Sequence, residues 1–352
     1  MLGRSALASA SATAASLVVV VLAVAGCKVQ VPSAAQASAG TTGAVQAGTS
    51  EVTRAGSLVV EPGAGFSSVY NLINGAKRSI DVTMYEFSDT TAEHDLAAAA
   101  KRGVHVHVIL DRRERSENSA AYSYFGSHAV KVTWSSPKYR YTHQKTLVVD
   151  GSEAVIMTAN LTSRYYTTSR DFLVVDTNRA DVAAITAVFN ADFTHTAVRP
   201  GDGSDLAWSP TDSQGKLLSL INSATSSLRI YSEEMGDTTV ENALIRAAKR
   251  GVDVQVCGEN ESGEYDSAYS RLARAGIHIS YYNSPTGFYI HGKVIEADYG
   301  TAHAKVFIGS ENFSKTSLND NRELGLIISS HAVMSAIAGT FAPDFRNGQH
   351  WS

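Results

Sequence analysis

The sequence predicts an α/β fold of two related halves, each a mixed β-sheet flanked by helices. Two observations predict it. The stretch "LINGAKRSIDVTMYEFSDTTAEHDLAAAAKRGVHVHV" from Leu72 aligns without a gap on "LINSATSSLRIYSEEMGDTTVENALIRAAKRGVDVQV" from Leu220, an offset of 148 residues (220 − 72). A repeat of that length is a duplicated half and not a solenoid unit. Within each copy, strand-like and helix-like segments alternate, as they do where helices cover the faces of a sheet.

In chain order, residues 1–26 read as a secretory signal. Arg4 is followed by an apolar run from Ala14 to Gly26, short of the roughly 20 apolar residues of a membrane span. Small residues lead to Cys27 in Val24-Ala25-Gly26-Cys27. This junction resembles the lipobox of bacterial lipoproteins, which implies cleavage before Cys27 and a lipid on its sulfur. Residues 27–57 would then be a lipidated cysteine and a linker, rich in Ala, Ser, Gly, Thr and Gln, that cannot form a core. The expected location is the outer face of the cell membrane.

Residues 58–200 form the first half. "SIDVTMYEF" alternates apolar and polar residues as a strand does. "TTAEHDLAAAAKRG" opens with Thr90 and Glu93 at capping-box spacing and stops at Lys101-Arg102-Gly103. The strands "GVHVHVILD", "YTHQKTLVVD", "EAVIMTAN" and "DFLVVDT" follow, then the closing helix "ADVAAITAVFNADF". "VRPGDGSDLAWSP", Val198 to Pro210, is rich in Gly, Pro and Asp and reads as the joint. Residues 201–352 repeat the pattern: Thr238, Glu241 and Gly251 mark the helix, "GVDVQVCG", "YIHGKVIEAD", "AKVFIGSEN" and "ELGLIIS" the strands, and "HAVMSAIAGTFAPDF" the closing helix.

An apolar fraction of 44% and a charged fraction of 18% exclude a wholly disordered chain. The formal charge is −4, and −5 once Arg4 is removed with the signal (29 − 34). That argues against capture of nucleic acid by bulk electrostatics. Besides Cys27 the chain has only Cys257, so no internal disulfide is expected, and Cys257 reads as a small core residue.

The segment from Tyr141 to Asp150 holds His143, Lys145 and Asp150; the segment from Tyr289 to Asp298 holds His291, Lys293 and Asp298 at the same spacing and the same offset (291 − 143). On a strand, residues i and i+2 share a face. Each half thus offers an imidazole for attack or proton transfer beside an ammonium that clamps an anion. Two halves facing one another would let one histidine attack while the other protonates the leaving group. Zinc is disfavoured, because each histidine pairs with a lysine and no Cys/His ligand cluster exists; the same holds for His105 and His107, whose counterparts are Asp253 and Gln255. Tyr139, Tyr141, Tyr281, Tyr282, Phe288 and Tyr289 either line a cleft or pack the strands. The charged run Ile109 to Asn118 reads as a solvated loop from which Arg112 or Arg113 could reach substrate.

These residues resemble the phospholipase D superfamily, whose signature is HxKxxxxD followed by GSxN. The second half has Gly309-Ser310-Glu311-Asn312; the first departs, with Met157-Thr158-Ala159-Asn160, where Thr158 keeps a hydroxyl. Eleven positions past each asparagine stands an acid, Asp171 (171 − 160) and Glu323 (323 − 312). The resemblance covers about Ser57 to Phe345. It implies a metal-free, cofactor-free phosphodiesterase that works through a covalent phosphohistidine. In that scheme His143 is the nucleophile and His291 the general acid and then base, with the reverse assignment open. Lys145, Lys293, Asn160, Asn312, Thr158 and Ser310 would hold the phosphate, and Asp171 and Glu323 would orient the histidines. Asp150 and Asp298 complete the catalytic set, buttressing the site more than contacting substrate. The expected substrate is a phospholipid, hydrolysed to phosphatidate by a monomer at a membrane surface. A nucleic-acid phosphodiester is the alternative, and a non-catalytic binding module a third reading that the two intact His/Lys/Asn sets disfavour. The family's phospholipid-making transferases usually carry membrane helices, and beyond the signal no apolar run supplies one.

Overall fold

The computed structural model describes residues 57–283 and 287–352. The signal segment, Cys27 and the linker to residue 56 lie outside the described residues. The first half supplies β1 (Leu58–Glu61), β2 (Ser79–Met84), β3 (His105–Leu110), β4 (Lys131–Trp134), β5 (Thr146–Val149), β6 (Glu153–Met157) and β7 (Ser169–Asp176). The second supplies β8 (Leu206–Ser209), β9 (Ser227–Ser232), β10 (Met235–Gly236), β11 (Asp253–Glu259), β12 (His278–Tyr282), β13 (Tyr289–Ile290), β14 (Val294–Ala297), β15 (Lys305–Gly309), β16 (Phe313–Ser314), β17 (Glu323–Ile328) and β18 (Gln349–His350). The first sheet runs β1-β7-β6-β5-β2-β3-β4 and the second β18-β12-β11-β9-β14-β15-β17-β8. In each, three strands are parallel (β2-β3-β4 and β9-β11-β12) and the motif strand, β5 or β14, begins the antiparallel part.

Apolar side chains lie on both faces of each sheet. One face packs on the helices of its own half: Leu147, Val149 and Val82 in the first, Ile295, Ile230 and Val254 in the second. The other faces meet each other in a shared core. Val148, Ile156, Phe172 and Val174 from the first sheet join Val294, Val306, Ile308 and Leu324 from the second, with Val182 and Ile337 of the two closing helices. This double coverage corrects the alternating pattern expected of "SIDVTMYEF". Asp81 and Thr83, the polar positions of β2, are buried too, because the helix Arg179–Phe193 lies over that face. Strands covered on both sides tolerate near-continuous burial.

The helix Thr90–Lys101 is capped one residue earlier than its sequence suggested. The Asp89 carboxylate accepts from the backbone N–H groups of Thr91 and Ala92, and Asp237 does the same for Thr239 and Val240 at the helix Thr238–Lys249. An aspartate satisfies the free first-turn donors and favours the positive end of the helix, so Thr90 and Thr238 become the first helical residues. Gly103 and Gly251 end these helices with φ of 94° and 89°, a conformation costly for any residue with a Cβ. Cys257 is buried in β11.

Candidate active site

Each His-x-Lys pair sits on the extended segment just before its motif strand, not within it. That segment docks on the other half. β13, immediately before His291, pairs in parallel with Ser169–Arg170 of β7. Thr142, immediately before His143, bridges to Arg322, and the N–H groups of His143 and Gln144 both donate to the Arg322 carbonyl. The residue after each docking point is the acid that lies eleven positions past an asparagine. The pairing is therefore crossed. Nδ1 of His143 lies 2.8 Å from Oε2 of Glu323, and Nδ1 of His291 lies 2.8 Å from Oδ1 of Asp171. Each half orients the other half's imidazole, which leaves Nε2 as the remaining ring nitrogen.

The arginines beside these acids tie the halves together in the same crossed way. Arg170 makes a two-pronged contact with Asp344 of the last helix, and Arg322, almost fully buried, pairs with Asp192 of the first half's closing helix and stacks on Tyr139. Planar guanidinium groups suit such buried, bidentate roles. Tyr139 is thus a packing residue. Tyr282 donates to the Asp344 carbonyl and Tyr281 packs on Trp351. Of the aromatic candidates, Phe288 and Tyr289 line the cavity.

Both histidines open into one cavity of about 540 Å³, also lined by Asn160, Asn312, Asp171, Tyr85, Glu86, Glu233 and Glu234. Lys145 and Lys293 lie beneath them, fully buried, each donating 2.6 Å to the carbonyl of its own histidine. Burial, and then the neighbouring Lys293 charge, brings the Lys145 ammonium down to about 7. Burial pulls His143 below its ordinary value against the attraction of Glu323, which favours the neutral imidazole a nucleophile needs. Burial works against the Glu323 carboxylate, but His143, Lys145 and a hydrogen bond from Ser317 outweigh it and hold it low.

Two expected phosphate contacts are relocated, and two expected buttresses stand away from the cavity. Thr158 and Ser310 do not face the cavity. The Thr158 hydroxyl donates to Asp171 at 2.5 Å and accepts from the Phe172 N–H; Ser310 Oγ exchanges bonds with the Leu324 backbone. Glu323 is held instead by Ser317 at 2.6 Å and Asn321 at 2.9 Å. Asp150 and Asp298 stand at the far ends of the motif strands, roughly 13 Å of strand from the lysines. They bind the backbone N–H groups of Lys77, Arg78 and Ser79, and of Thr225, Ser226 and Ser227. They brace the start of β2 and β9 and touch nothing in the cavity. Arg112 and Arg113 do not line it either, and His107 pairs with Asp81 outside it.

Among the cavity residues that the sequence reading does not single out are Tyr85, Glu86, Glu233 and Glu234. The offset of 148 that finds the histidines also pairs Tyr85 with Glu233 and Glu86 with Glu234. All four follow the carboxyl ends of β2 and β9, where open sheets place their sites.

The family described as "Cardiolipin synthase, PLD-like domain" matches residues 69–193 and again 217–345. A probable cardiolipin synthase, YwiE, of Bacillus subtilis (strain 168) is 28% identical over 127 residues, 35% of this chain and 25% of that protein's length. Among solved structures, polyphosphate kinase from Porphyromonas gingivalis superposes with a TM-score of 0.65 at 17% identity, over 83% of this chain and 50% of that one. Phosphatidylserine synthase of Haemophilus influenzae Rd KW20 gives 0.60 at 12% identity, over 81% and 85%. At these identities the two structures speak for the fold. The family match takes in both halves, each with its own His-x-Lys pair, and by it the chain belongs to the PLD-like domains of the cardiolipin synthase family, within the phospholipase D superfamily.

Proposed function

We propose that this protein cleaves the headgroup phosphodiester of a phospholipid by two displacements through a phosphohistidine. The crossed pairs His143–Glu323 and His291–Asp171 in one cavity carry the reading. Nε2 of His143 attacks phosphorus, a nitrogen–phosphorus bond forms, and the bond to the headgroup oxygen breaks as that oxygen takes a proton from His291. His291 then takes a proton from water, whose oxygen attacks phosphorus and releases phosphatidate and His143. Lys145, Lys293, Asn160 and Asn312 supply positive charge and donors to the phosphoryl oxygens, where charge grows in the transition state.

The lining of the cavity favours lipid over nucleic acid. Among the described residues it holds five carboxylates (Glu86, Asp171, Glu233, Glu234 and Glu261) and no lysine or arginine. A polyanionic strand would find no cation among the lining residues to track its backbone, the two lysines lying beneath the histidines. Tyr165, Tyr166 and Phe288 offer apolar surface beside the polar centre.

A second reading keeps the first displacement and passes the phosphatidyl group to an alcohol instead of water; the family's description and the name of the Bacillus subtilis relative favour it. Among the described residues no helix is long and apolar enough to cross a membrane. The anchor proposed here is a lipid on Cys27, on the strength of the lipobox-like Val24-Ala25-Gly26-Cys27, and Cys27→Ser should release the protein from membranes.

The test is incubation with vesicles of phosphatidylcholine, phosphatidylethanolamine or phosphatidylglycerol, in chelator, with and without added glycerol. Single-stranded DNA serves as the other arm. Phosphatidate supports hydrolysis, and a phosphatidyl-alcohol product supports transfer. Cleavage of DNA alone would overturn the lipid assignment.

A further inference from the structure

The two halves differ at the centre of the cavity. Lys145 is met by the ring of Tyr85, with Nζ 4.8 Å from its centroid. The matching Lys293 is met by a carboxylate, Oε2 of Glu233 at 2.6 Å. Asn312 donates to the same oxygen at 3.0 Å, and Tyr289 donates to Oε1 at 3.0 Å. That Oε1 also lies 3.6 Å from Nε2 of His291. His291 therefore has a carboxylate at each ring nitrogen, Asp171 at Nδ1 and Glu233 at Nε2. Tyr85 instead packs edge-on to His143, ring centroids 4.5 Å apart, and among the described residues the carboxylate paired with His143 is Glu323 alone.

We propose that Glu233 assigns the two histidines their roles: it keeps a proton on Nε2 of His291, which makes that ring the acid, and so leaves His143 as the attacking base. This rests on the phosphohistidine reading and goes one step beyond it. Two equal histidines would compete to attack. An imidazole protonated on both nitrogens has no lone pair for phosphorus, so the side that carries Glu233 gives a proton in the first step and, once neutral, takes one back from water in the second. The same carboxylate also bears on how phosphate binds. An anion bound to Lys293 and Asn312 must displace Glu233 from both; on the other side Asn160 donates to Glu86 at 3.3 Å, but Lys145, as deeply buried as Lys293, has no carboxylate within ion-pair distance among the described residues. The charges of His291 and Lys293 hold Glu233 ionised, although burial opposes it. Glu234 beside it is pushed up to about 7 by burial and by the Glu233 charge, so the negative charge of this corner rests on Glu233. Glu233 acts through His291 and is a positioning residue.

The test maps the covalent adduct. Wild type, Glu233→Gln and the exchange Tyr85→Glu/Glu233→Tyr are mixed with bis(p-nitrophenyl) phosphate and quenched in alkali within the first turnover. The p-nitrophenolate leaving group needs no acid, so either neutral histidine can react. His143 bonds to phosphorus as p-nitrophenolate departs, and mass spectrometry of peptides locates the nitrophenyl phosphoryl group. In wild type the adduct falls on His143. In Glu233→Gln it divides between His143 and His291, and in the exchange it moves to His291. A merely structural role would lower the yield without moving the adduct. An adduct confined to His143 in folded Glu233→Gln overturns the proposal, as does a wild-type adduct on His291. If the exchange does not fold by circular dichroism, Glu233→Gln decides alone. Release of p-nitrophenolate with no adduct on any wild-type histidine would overturn the phosphohistidine reading itself, and this proposal with it.

Discussion

The two halves share a topology, a strand order about the motif strand and a crossed acid for each histidine, yet one position separates them chemically. After β2 stands Tyr85; at the same place after β9 stands Glu233. Duplication provides two copies of one tool, whereas bond cleavage needs two unlike tools, a base that attacks and an acid that donates. The halves differ again in how they hold their acids. Thr158 steadies Asp171 from the strand end, while Ser317 and Asn321 steady Glu323 from the segment before β17. The framework thus keeps its symmetry where it brings groups together and loses it where the proposed mechanism asks the groups to act differently.

The sharpest break of this comparison is at the histidines. His143→Ala should remove the covalent step and cost about 10⁴-fold or more in turnover. His291→Ala should do as much with a natural lipid. With a p-nitrophenyl ester it should instead form the adduct and stall, since the base for water attack is gone. Quenched-flow measurement of p-nitrophenolate separates them, a burst of one equivalent for His291→Ala and none for His143→Ala. Full turnover by either variant would mean that each half holds a site of its own.

Next come the crossed acids. Replacing a carboxylate behind a catalytic imidazole costs about 10²–10⁴-fold, because the ring loses its tautomer and its partner charge. Glu323→Gln lies in the second half yet should slow the attack by His143, and so the burst. Asp171→Asn lies in the first half yet should spare the burst with a p-nitrophenyl ester and slow the second step. The opposite result would mean that each acid serves its own half.

Acidity should set a narrower window. In the proposed mechanism Lys145 must be charged to hold phosphate, and its ammonium lies near 7, so kcat/KM should fall about tenfold per unit as pH rises above that. His143 must be neutral, and its value is depressed; the fall on the acid side should therefore begin below the usual histidine range of about 6.5. Removal of the repelling charge by Lys293→Met should move the alkaline limb upward. An unmoved limb would assign it to another group.

Much of this was legible in the sequence, because a repeat with fixed offset marks both the fold and the paired His-x-Lys segments. The crossing was not. Asp171 and Glu323 could be found by counting from Asn160 and Asn312, but which histidine each one serves depends on β13 joining the first sheet and Thr142 bridging to Arg322. Such contacts lie 120 and 180 residues apart in the chain, beyond any local pattern. Hydroxyl chemistry misled for a similar reason. Thr158 and Ser310 could bind phosphate by type, and only their burial shows that they bind Asp171 and backbone instead. Which acceptor, water or an alcohol, completes the proposed reaction was not legible either, since the His/Lys/Asn sets would serve the first displacement in both cases.

That burial gives a smaller prediction. Thr158→Ala removes the 2.5 Å bond to Asp171 and should lower turnover about tenfold, as loss of roughly one hydrogen bond to a charged group would. Ser310→Ala should cost less than about threefold, because its bonds run to the Leu324 backbone and not to Glu323. Equal losses in steady-state assays would restore a symmetric role for the two hydroxyls.

The smallest effect on turnover is expected where the halves agree most closely. Asp150 and Asp298 share a positive φ, 54° and 55°, and each accepts three consecutive backbone N–H groups. Asp298 adds the hydroxyls of Thr225 and Ser226. Burial opposes its charge, but these hydrogen bonds outweigh it and bring the carboxyl down to about 2. A folded-state value below the unfolded one means stability that is present above about 3.9 and lost as pH falls towards 2. Asp298→Asn should therefore cost about 1–2 kcal/mol at neutral pH, lower Tm by a few degrees, and flatten the acid limb of a Tm-against-pH curve. Asp150→Asn should do the same to a lesser degree, having fewer donors. Neither should change kcat in the folded protein by more than about twofold, since each carboxylate sits a strand's length from its lysine. A large fall in kcat with Tm unchanged would return these aspartates to the chemistry and end their role as braces.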